Sequence, residues 1–522
     1  MRVEPPPGTF TDYPPLNVQP FWFRSKNVRF RLGIPQTIGL FARFIDTRTN
    51  TPVDEALDGI LADTGHVDFH ADDNLLLIAS GSTLVIIRWA LGDVDVRTVD
   101  SVGETGRWWF SSTERDIIAG RSNLTGRAVS INRETREIAT IPNIPVGSVA
   151  GGITAGVLML AGTESIGETK SVMTVRWSAR RSDPSSSGTE DGPFGFEDWT
   201  PSDINASGEF RLENGSRIIA GGATIFGFMV WTDTSTYEIT GRTDIFVFAE
   251  TQVSGRGILG PKTWIVADDR VWWYDHTRTL NVYDGGRPRQ VVSPISNAAL
   301  EMVPDEDVDS LSLSTDLENG EVSLHYPGAD GRFRELVYNY REDSWYVFDI
   351  NRVNITLANG PRSSIGMDGS GRLLFYDLRE TLRGFRSDPT LPVPAAPVGQ
   401  SPFQPAKLPE PFDYFLQTNW MTAPSPSVQS LRARNVVVSY TFARGMTPTD
   451  DVDKISLRAS SYGLLDLKEA PTEDYQDNPI GQMLYKLRVG GKAVQYTISG
   501  EQQRTFLRFG VIDFEGDEGG KK

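Results

Sequence analysis

Residues 74–89 read NLLLIASGSTLVIIRW, and this stretch predicts a β-hairpin. Two runs of aliphatic residues flank a short polar turn, which is the usual pattern of two antiparallel strands joined by a tight connection. The same plan of strand, polar turn and strand recurs at residues 127–141, 264–275, 334–349 and 364–377. Helical periodicity is almost absent from the chain. The hairpins therefore predict an all-β protein.

The spacing of the hairpins predicts a repeated architecture over residues 51–385. At about 45–55 residues for each four-stranded unit, this segment holds six or seven units. A β-propeller-like body of six or seven units is the economical solution, because radial repetition leaves few exposed strand edges. A stack of β-sandwiches is the competing architecture.

Composition divides the remainder of the chain. Residues 1–50 are expected to form a basic N-terminal arm, and the proline-rich residues 386–411 a semi-rigid linker. Residues 412–515 return to strand patterns and predict a C-terminal β-sandwich-like domain. Residues 516–522 are polar and glycine-rich and are expected to form a frayed tail.

Composition and charge narrow the classes of function. The 522 residues include no cysteine, which excludes disulfides, thiolate metal sites and cysteine nucleophiles. The formal net charge of −17 disfavours nucleic-acid binding unless the basic residues cluster. The opening MRVEPPPGTF has no apolar segment of the signal-peptide type, and the apolar-leaning residues 151–162 are too short to span a bilayer. No membrane span is expected.

One basic cluster does occur, within residues 1–44. This stretch carries six basic residues against two acidic ones. It is either an extended arm with solvated charges or an arm that docks on an acidic partner surface. The second interpretation assigns partner docking to four residues: Arg24, Lys26, Arg29 and Arg31.

Three glycines invite a cofactor interpretation. Gly255, Gly257 and Gly260 spell G-x-G-x-x-G, the dinucleotide fingerprint. That motif needs a helix after it, whose N-terminus holds the pyrophosphate. The residues after Pro261 read instead as a strand, so the pattern indicates a glycine-rich turn between two propeller strands. No cofactor is expected.

Other polar clusters also have structural explanations. His66, Asp68 and His70 could bind a metal ion, but their alternation is typical of one face of a half-buried strand. The acidic runs at 304–309 and 450–453 lack the glycine and glutamate of a calcium loop and are expected to be solvated turns. No metal site is predicted. Many carboxylates could serve a glycosidase, and the sequence distinguishes no pair.

The chain has two adjacent tryptophan pairs, Trp108-Trp109 and Trp272-Trp273. Successive strand residues point to opposite faces of a sheet. One member of each pair is therefore expected to fill a core, while the other faces a loop or a partner. Core or interface packing is favoured over sugar stacking.

Several blocks of sequence, in order along the chain, resemble the hub proteins of bacteriophage tails. The blocks are VRWS at 175–178, FEDWTP at 196–201, ASG at 206–208, WTDTSTYEI at 231–239 and the segment 246–261 that ends in GILGP. Residues 25–33, SKNVRFRLG, and the C-terminal YKLRV, YTISG and FLRFGVID at 485–489, 496–500 and 506–513 are similar to further blocks of these proteins. The proline-rich linker and residues 185–195 depart from the pattern.

The resemblance implies a tail hub or nozzle, a packaged-DNA stabilisation protein of short-tailed phages, which does no catalysis. Six copies would form a ring below the portal and the adaptor, with tail fibre or spike proteins nearby. Double-stranded DNA would pass through the ring without specific binding. Such a protein is part of the virion and is assembled in the host bacterial cytoplasm. The alternatives are a virion-borne or secreted propeller enzyme that degrades polysaccharide, and a sugar-binding tail adhesin.

Overall fold

A computed structural model describes the greater part of the chain, and nearly all of its regular structure is β-strand. The described residues are 8–11, 16–17, 21–53, 66–72, 75–88, 91–103, 105–167, 171–180, 196–241, 248–295, 300, 303–358, 363–378, 403–405, 412–422, 430–442, 456–462, 480–491, 493–502 and 507–519. Two 3-10 helices lie within them, Asp100–Val102 and Asp305–Ser310.

Six four-stranded antiparallel sheets follow one another along the chain, and each runs as a meander from its first strand to its last. Blade 1 contains β7 (Asp68–Asp72), β8 (Leu75–Ser80), β9 (Thr83–Arg88) and β10 (Asp93–Thr98). Blade 2 contains β11 (Trp108–Ser112), β12 (Asp116–Arg121), β13 (Val129–Asn132) and β14 (Ile138–Thr140). Blade 3 contains β15 (Ala150–Thr154), β16 (Val157–Ala161), β17 (Thr174–Trp177) and β18 (Gly208–Arg211). Blade 4 contains β19 (Ile218–Thr224), β20 (Gly227–Thr232), β21 (Thr236–Gly241) and β22 (Phe248–Ser254). Blade 5 contains β23 (Trp264–Ala267), β24 (Arg270–Tyr274), β25 (Leu280–Tyr283) and β26 (Arg289–Gln290). Blade 6 contains β27 (Ser312–Asp316), β28 (Glu321–Pro327), β29 (Phe333–Asn339) and β30 (Ser344–Phe348).

A seventh sheet completes the ring with a strand from the N-terminal part of the chain. Its first three strands are β31 (Arg352–Ala358), β32 (Ser363–Asp368) and β33 (Leu373–Leu378), and β33 pairs with the antiparallel β5 (Leu40–Asp46). The short β6 (Thr51–Pro52) and β34 (Phe403–Pro405) add to β5. The first strand of this blade contacts both β27 and β7, so blade 7 lies between blades 6 and 1. The protein is therefore a β-propeller of seven blades. The hairpin spacing predicted six or seven units, and the structure decides between the two.

The second body is a β-sandwich-like domain built from both ends of the chain. One sheet holds β1 (Leu16–Asn17), β2 (Trp22–Lys26), β35 (Phe412–Thr418), β36 (Trp420–Thr422), β38 (Ser456–Tyr462) and β40 (Ala493–Gln502). The other holds β3 (Val28–Arg31), β4 (Ile34–Thr37), β37 (Ser430–Phe442), β39 (Ile480–Gly491) and β41 (Leu507–Gly519).

The expected N-terminal arm of residues 1–50 is thus wrong as a separate element. Its first four strands belong to the sandwich, and β5 belongs to blade 7. The physical reason is that both sheets and the last blade need partner strands that the C-terminal part of the chain alone does not supply. Of the expected linker at 386–411, only Phe403–Pro405 is described, and it pairs with β5. The expected tail at 516–522 is strand as far as Gly519.

Each blade is covered on both faces by its neighbours. In β8, alternate residues pack in opposite directions: Leu75 and Leu77 belong to the core shared with blade 2, and Leu76 and Ile78 to the core that reaches blade 7. Strands buried on both faces read as continuous apolar runs rather than alternating ones.

The same arrangement corrects the expectation for the tryptophan pairs, because both members of each pair are buried. Trp108 packs between blades 1 and 2, and Trp109 between blades 2 and 3. Trp272 packs between blades 5 and 6, and Trp273 between blades 4 and 5. A blade has no outward face, so neither ring of a pair is left for a partner.

Glycines on neighbouring strands make room for these indoles. A Cβ atom at Gly151, on the first strand of blade 3, would lie 2.4 Å from the ring of Trp109 in blade 2. A Cβ atom at Gly120, the cross-strand partner of Trp109 within blade 2, would also lie 2.4 Å from that ring. Gly222 and Trp264 repeat the device between blades 4 and 5, also at 2.4 Å. Blade 2 is therefore interlocked with blade 3, and blade 4 with blade 5, by an indole ring packed against a glycine.

The Gly151→Ala substitution tests this interlock. The added methyl group would overlap the Trp109 ring, and we expect a loss of about 1–3 kcal/mol in the free energy of unfolding. Gly255→Ala is the matched control, since a Cβ there meets no atom within 4 Å. Urea denaturation of both variants gives the comparison. Equal stability of the two would show that the slot is not tight.

Candidate functional site at the propeller axis

A concentration of buried charge lies where the first strands of the blades begin. Rotation about a common axis gives the first strand of every blade the same direction, so their N-terminal ends meet at one end of the axis. Asp68 is the first residue of β7, Arg107 immediately precedes β11, and Lys262 lies two residues before β23. Three blades thus deliver a charged side chain to the same place.

Asp68 and Arg107 form the centre of this axial cluster. The guanidinium Nη2 of Arg107 donates to Asp68 Oδ1 at 2.8 Å, and its Nε lies 3.1 Å from both carboxylate oxygens. The backbone N–H of Trp108 donates to the same carboxylate at 2.8 Å. Both charged side chains are almost fully buried, at 1% and 2% exposure. Burial of this pair is tolerable because its polar atoms are paired.

The cluster also reaches across the axis. Arg107 Nη1 donates to the backbone carbonyl oxygens of Asp309, at 2.5 Å, and Leu311, at 3.2 Å, beside the first strand of blade 6. Lys262 of blade 5 places its Nζ 3.7 Å from Asp68 Oδ1 in blade 1. Blades that are not neighbours are therefore tied together, and these side chains occupy this end of the axis.

Two cationic side chains, Arg107 and Lys262, surround the Asp68 carboxylate and determine its pKa. Burial alone would raise the pKa of Asp68, but Arg107 and Lys262 lower it to about 2. Burial lowers the pKa of Lys262, and Asp68 opposes this effect. The carboxylate is thus held ionised over the whole neutral range, as a structural counter-charge.

The histidines predicted near this strand lie beside the cluster without forming a metal site. Burial lowers the pKa of His66, and Arg107 lowers it further. The Asp68 oxygens are occupied by Arg107, Lys262 and a backbone N–H. Among the residues that the structure describes, no group of three or more histidine and acidic side chains is placed to hold a metal ion.

Beside the axial cluster, His70 and Ser112 make a contact that resembles the serine–histidine pair of nucleophilic catalysis. The Nε2 atom of His70 lies 2.8 Å from Ser112 Oγ, and the imidazole ring stacks on Phe110 with centroids 5.3 Å apart. Burial, followed by the charges of Lys262 and Arg133, lowers the pKa of His70 to about 4. The carboxylate on the same strand face, Asp72, is paired with Arg133. A weak base whose neighbouring carboxylate is already engaged is poorly suited to activate a serine.

The glycine fingerprint is a turn, as expected from the sequence. It joins β22 of blade 4 to β23 of blade 5, with no helix after it. A Cβ atom at Gly257 would lie 2.2 Å from the backbone carbon of Asp233, and one at Gly260 2.6 Å from the carbonyl oxygen of Val308. These glycines allow backbones to approach each other, not a phosphate.

Of the four residues predicted to dock a partner, two are exposed and two form contacts within the chain. Arg24 and Arg31 are exposed. Lys26 is engaged within the chain, since its Nζ lies 3.1 Å from Asp349 of the propeller and 2.9 Å from Asp413 of the sandwich. Arg29 is buried against Glu321, at 2.8 Å from Nε to Oε1. For these two residues the acidic surface that the prediction sought is in the same molecule.

Sequence reasoning missed Arg107 and Lys262. Both residues occupy a similar position in the repeat, one or two residues before the first strand of a blade, and this position could have identified them. That position can be recognised only when the boundaries of the blades are known. The hairpins predicted the repeat without indicating which strand of each unit lies innermost.

Comparisons with known proteins add little to this geometry. No protein-family profile matches the chain, and no curated protein sequence matches it. A chain from the crystal structure of the mitotic checkpoint complex is similar, with a TM-score of 0.40 and 9% identity, covering 64% of this chain and 93% of that one. BamB from Moraxella catarrhalis has a TM-score of 0.35 and 10% identity, covering 66% of this chain and 99% of its own. Within the described residues, no helix has the length and apolar character needed to cross a membrane.

The Asp68→Asn substitution tests the role of the axial carboxylate. It leaves Arg107 and Lys262 without their counter-charge, and we expect a loss of about 3 kcal/mol or more in the free energy of unfolding. The lowered pKa of Asp68 stabilises the wild type above the unfolded pKa of about 3.9, and this contribution is lost as the pH falls through the folded pKa of about 2. The gap between the two proteins should therefore narrow between about pH 4 and pH 2.

Urea denaturation across that pH range measures the effect. Asp305→Asn is the control, because Asp305 is 97% exposed and pairs with Arg278 at the surface. It should change stability by less than about 1 kcal/mol. A gap between Asp68→Asn and wild type that stays constant from neutral pH to pH 2 would contradict the assignment.

Proposed function

We propose that the protein is a structural component of a virion, the hub or nozzle ring of a short-tailed bacteriophage tail. In this proposal several copies, six by resemblance, form a ring below the portal and the adaptor. The ring retains packaged DNA and encloses the path of its ejection. Tail fibre or spike proteins are its other neighbours, and assembly takes place in the bacterial cytoplasm.

The observation that carries the proposal is where the resembling blocks lie in the fold. Trp177 Nε1 donates to the carbonyl oxygen of Ala206 at 2.6 Å, which joins the first block to the ASG block. Arg176 Nη2 donates to the carbonyl oxygen of Trp199 at 3.0 Å, and Trp199 Nε1 to that of Phe196 at 2.8 Å. Three blocks that are separate in sequence form one hydrogen-bonded unit on blade 3.

The WTDTSTYEI block also has a structural role, because it contains a hydrogen-bonded turn. Thr232 Oγ1 accepts a hydrogen bond from the backbone N–H of Ser235 at 2.8 Å, and the backbone N–H of Thr232 donates to the carbonyl oxygen of Ser235 at 2.8 Å. The backbone of Gly257 packs directly against this turn at Asp233. Residues that carry the resemblance thus serve packing and turn formation. This favours a shared scaffold over a shared active site.

The occupied axis bears on the path of DNA. Arg107 and Lys262 link opposite blades at one end of the propeller axis, so a subunit does not offer its own axis as a passage. A path for DNA would have to run through the space enclosed by several subunits. The net charge of −17 favours weak interaction of such a wall with phosphates.

The enzyme alternative finds less support at the axial cluster. A propeller glycosidase needs an acid and a base facing a common substrate. At this end of the axis Asp68 is bound by two cations, and the Ser112–His70 contact lacks a free carboxylate. Neither arrangement supplies a catalytic pair.

Electron microscopy of the purified protein and of virions that carry it tests the proposal. The expected result is six-fold rings with an axial opening, placed at the tail. Absence from the virion, together with particles no larger than one subunit, would overturn it. Release of reducing sugar from capsular polysaccharide by such single subunits would establish the enzyme alternative instead.

A further inference from the structure

We propose that Arg29, Glu321 and Tyr346 form an orientation key, a buried polar cluster that specifies how the sandwich is seated on blade 6. The key acts through directional hydrogen bonds and contributes little net stability. The proposal concerns the chain by itself and does not rest on the proposed function.

The three residues of the orientation key come from the two bodies. Arg29 lies on β3 of the sandwich, Glu321 begins β28 of blade 6, and Tyr346 lies on β30 of the same blade. Arg29 Nη2 donates to Glu321 Oε2 at 3.1 Å, and its Nε lies 2.8 Å from Oε1. The Tyr346 hydroxyl donates to Glu321 Oε1 at 2.6 Å. The Glu321 carboxylate thus accepts hydrogen bonds from the Arg29 guanidinium of the sandwich and from the Tyr346 hydroxyl of the propeller.

The cluster sits in a largely apolar seam, which is also crossed by two backbone hydrogen bonds, from the N–H of Thr9 to the carbonyl oxygen of Trp345 at 2.8 Å and from the N–H of Asn27 to that of Val347 at 3.3 Å. Val28 and Phe30 flank Arg29 and are fully buried, and Phe30 packs on the ring of Tyr346 at 6.2 Å. The guanidinium also lies over Phe348, 5.7 Å from its centroid. Apolar contact is proportional to area and nearly indifferent to small rotations, whereas a guanidinium fork on a carboxylate admits one geometry.

Energetics separate orientation from stability. Arg29 and Glu321 are 3% and 2% exposed, so both charges lose almost all of their hydration on folding. The ion pair and its hydrogen bonds offset this cost without a large surplus, and apolar replacements of buried ion pairs are often neutral or stabilising. Apolar side chains would not reproduce the directional contact between the Arg29 guanidinium and the Glu321 carboxylate.

A second contact supports the same orientation. Lys26 bridges Asp349 and Asp413, and although burial alone would lower its pKa, the two carboxylates raise it. Asn27 donates from Nδ2 to the carbonyl oxygen of Asp413 at 2.8 Å and accepts from the backbone N–H of Asp349 at 2.7 Å. This bridge is more exposed than the orientation key, since Asp413 keeps 66% of its side-chain surface in solvent.

The chain offers a matched control of the same chemistry. Arg352 forms a fork on Glu335 at 2.7 and 2.5 Å, with exposures of 8% and 0%. Both residues belong to the propeller, on β31 and β29. Removing this pair alters a buried ion pair without touching the contact between the two bodies.

The experiment replaces the orientation key with apolar residues in the full chain: Arg29→Met, Glu321→Leu and Tyr346→Phe. Because the protein has no cysteine, spin labels can be placed at Thr140→Cys on blade 2 and Arg458→Cys on the sandwich. Double electron–electron resonance then reports the distance distribution between the two bodies, and thermal unfolding reports stability.

We expect the wild-type background to give one narrow distance. The triple variant should lose that single distance and show a broadened or split distribution, with an unfolding temperature equal to or above that of wild type. Arg29→Lys keeps the charge without the fork and should broaden the distribution to a smaller extent. The control, Arg352→Met with Glu335→Leu, should keep the single distance.

Two results would overturn the proposal. A folded triple variant with one narrow, wild-type distance would show that the apolar seam is sufficient to orient the sandwich. Loss of folded protein in the triple variant would show that the cluster is needed for stability and not for orientation.

Discussion

Closure of the ring is the constraint on which the rest of the structure depends. A blade is stable only when neighbours cover both of its faces, so an open ring would leave two apolar faces in water. Here the last blade is finished by β5, which comes from the other end of the chain. The packing of every other blade, and the meeting of charged residues at the axis, presuppose that this strand is in place.

The same N-terminal segment serves both bodies. Its first four strands complete the sandwich, and the fifth completes the propeller. Neither body can be cut from the chain at a linker without losing strands. The basic side chains of this segment follow from that position: Lys26 and Arg29 meet acidic residues of the propeller that the fold brings opposite them. A local excess of positive charge in sequence here indicates an internal contact.

Much of the propeller could be predicted from the sequence, because hairpins are local. The run at 74–89 predicts its own two strands, and the spacing of such runs limits the number of units to six or seven. The pairing of β5 with β33 could not be predicted, since no local pattern identifies a partner so distant in the chain. For the same reason the axial cluster was missed: Asp68, Arg107 and Lys262 are brought together by the ring and by no motif. The expectation for the tryptophan pairs was wrong because neighbouring blades cover both faces of each blade.

The distant pairing of β5 also has a kinetic consequence. Folding slows as contacting residues lie farther apart in sequence, and β5 must wait for β33 while six blades are synthesised between them. At a synthesis rate of about 5–20 residues per second, the nascent chain carries an unpaired N-terminal strand and an unclosed ring for many seconds. Exposed strand edges in that interval are open to pairing with another chain. The slow step in folding, when the ring is open and the edge of β5 is unpaired, therefore lasts until β33 (Leu373–Leu378) has been synthesised.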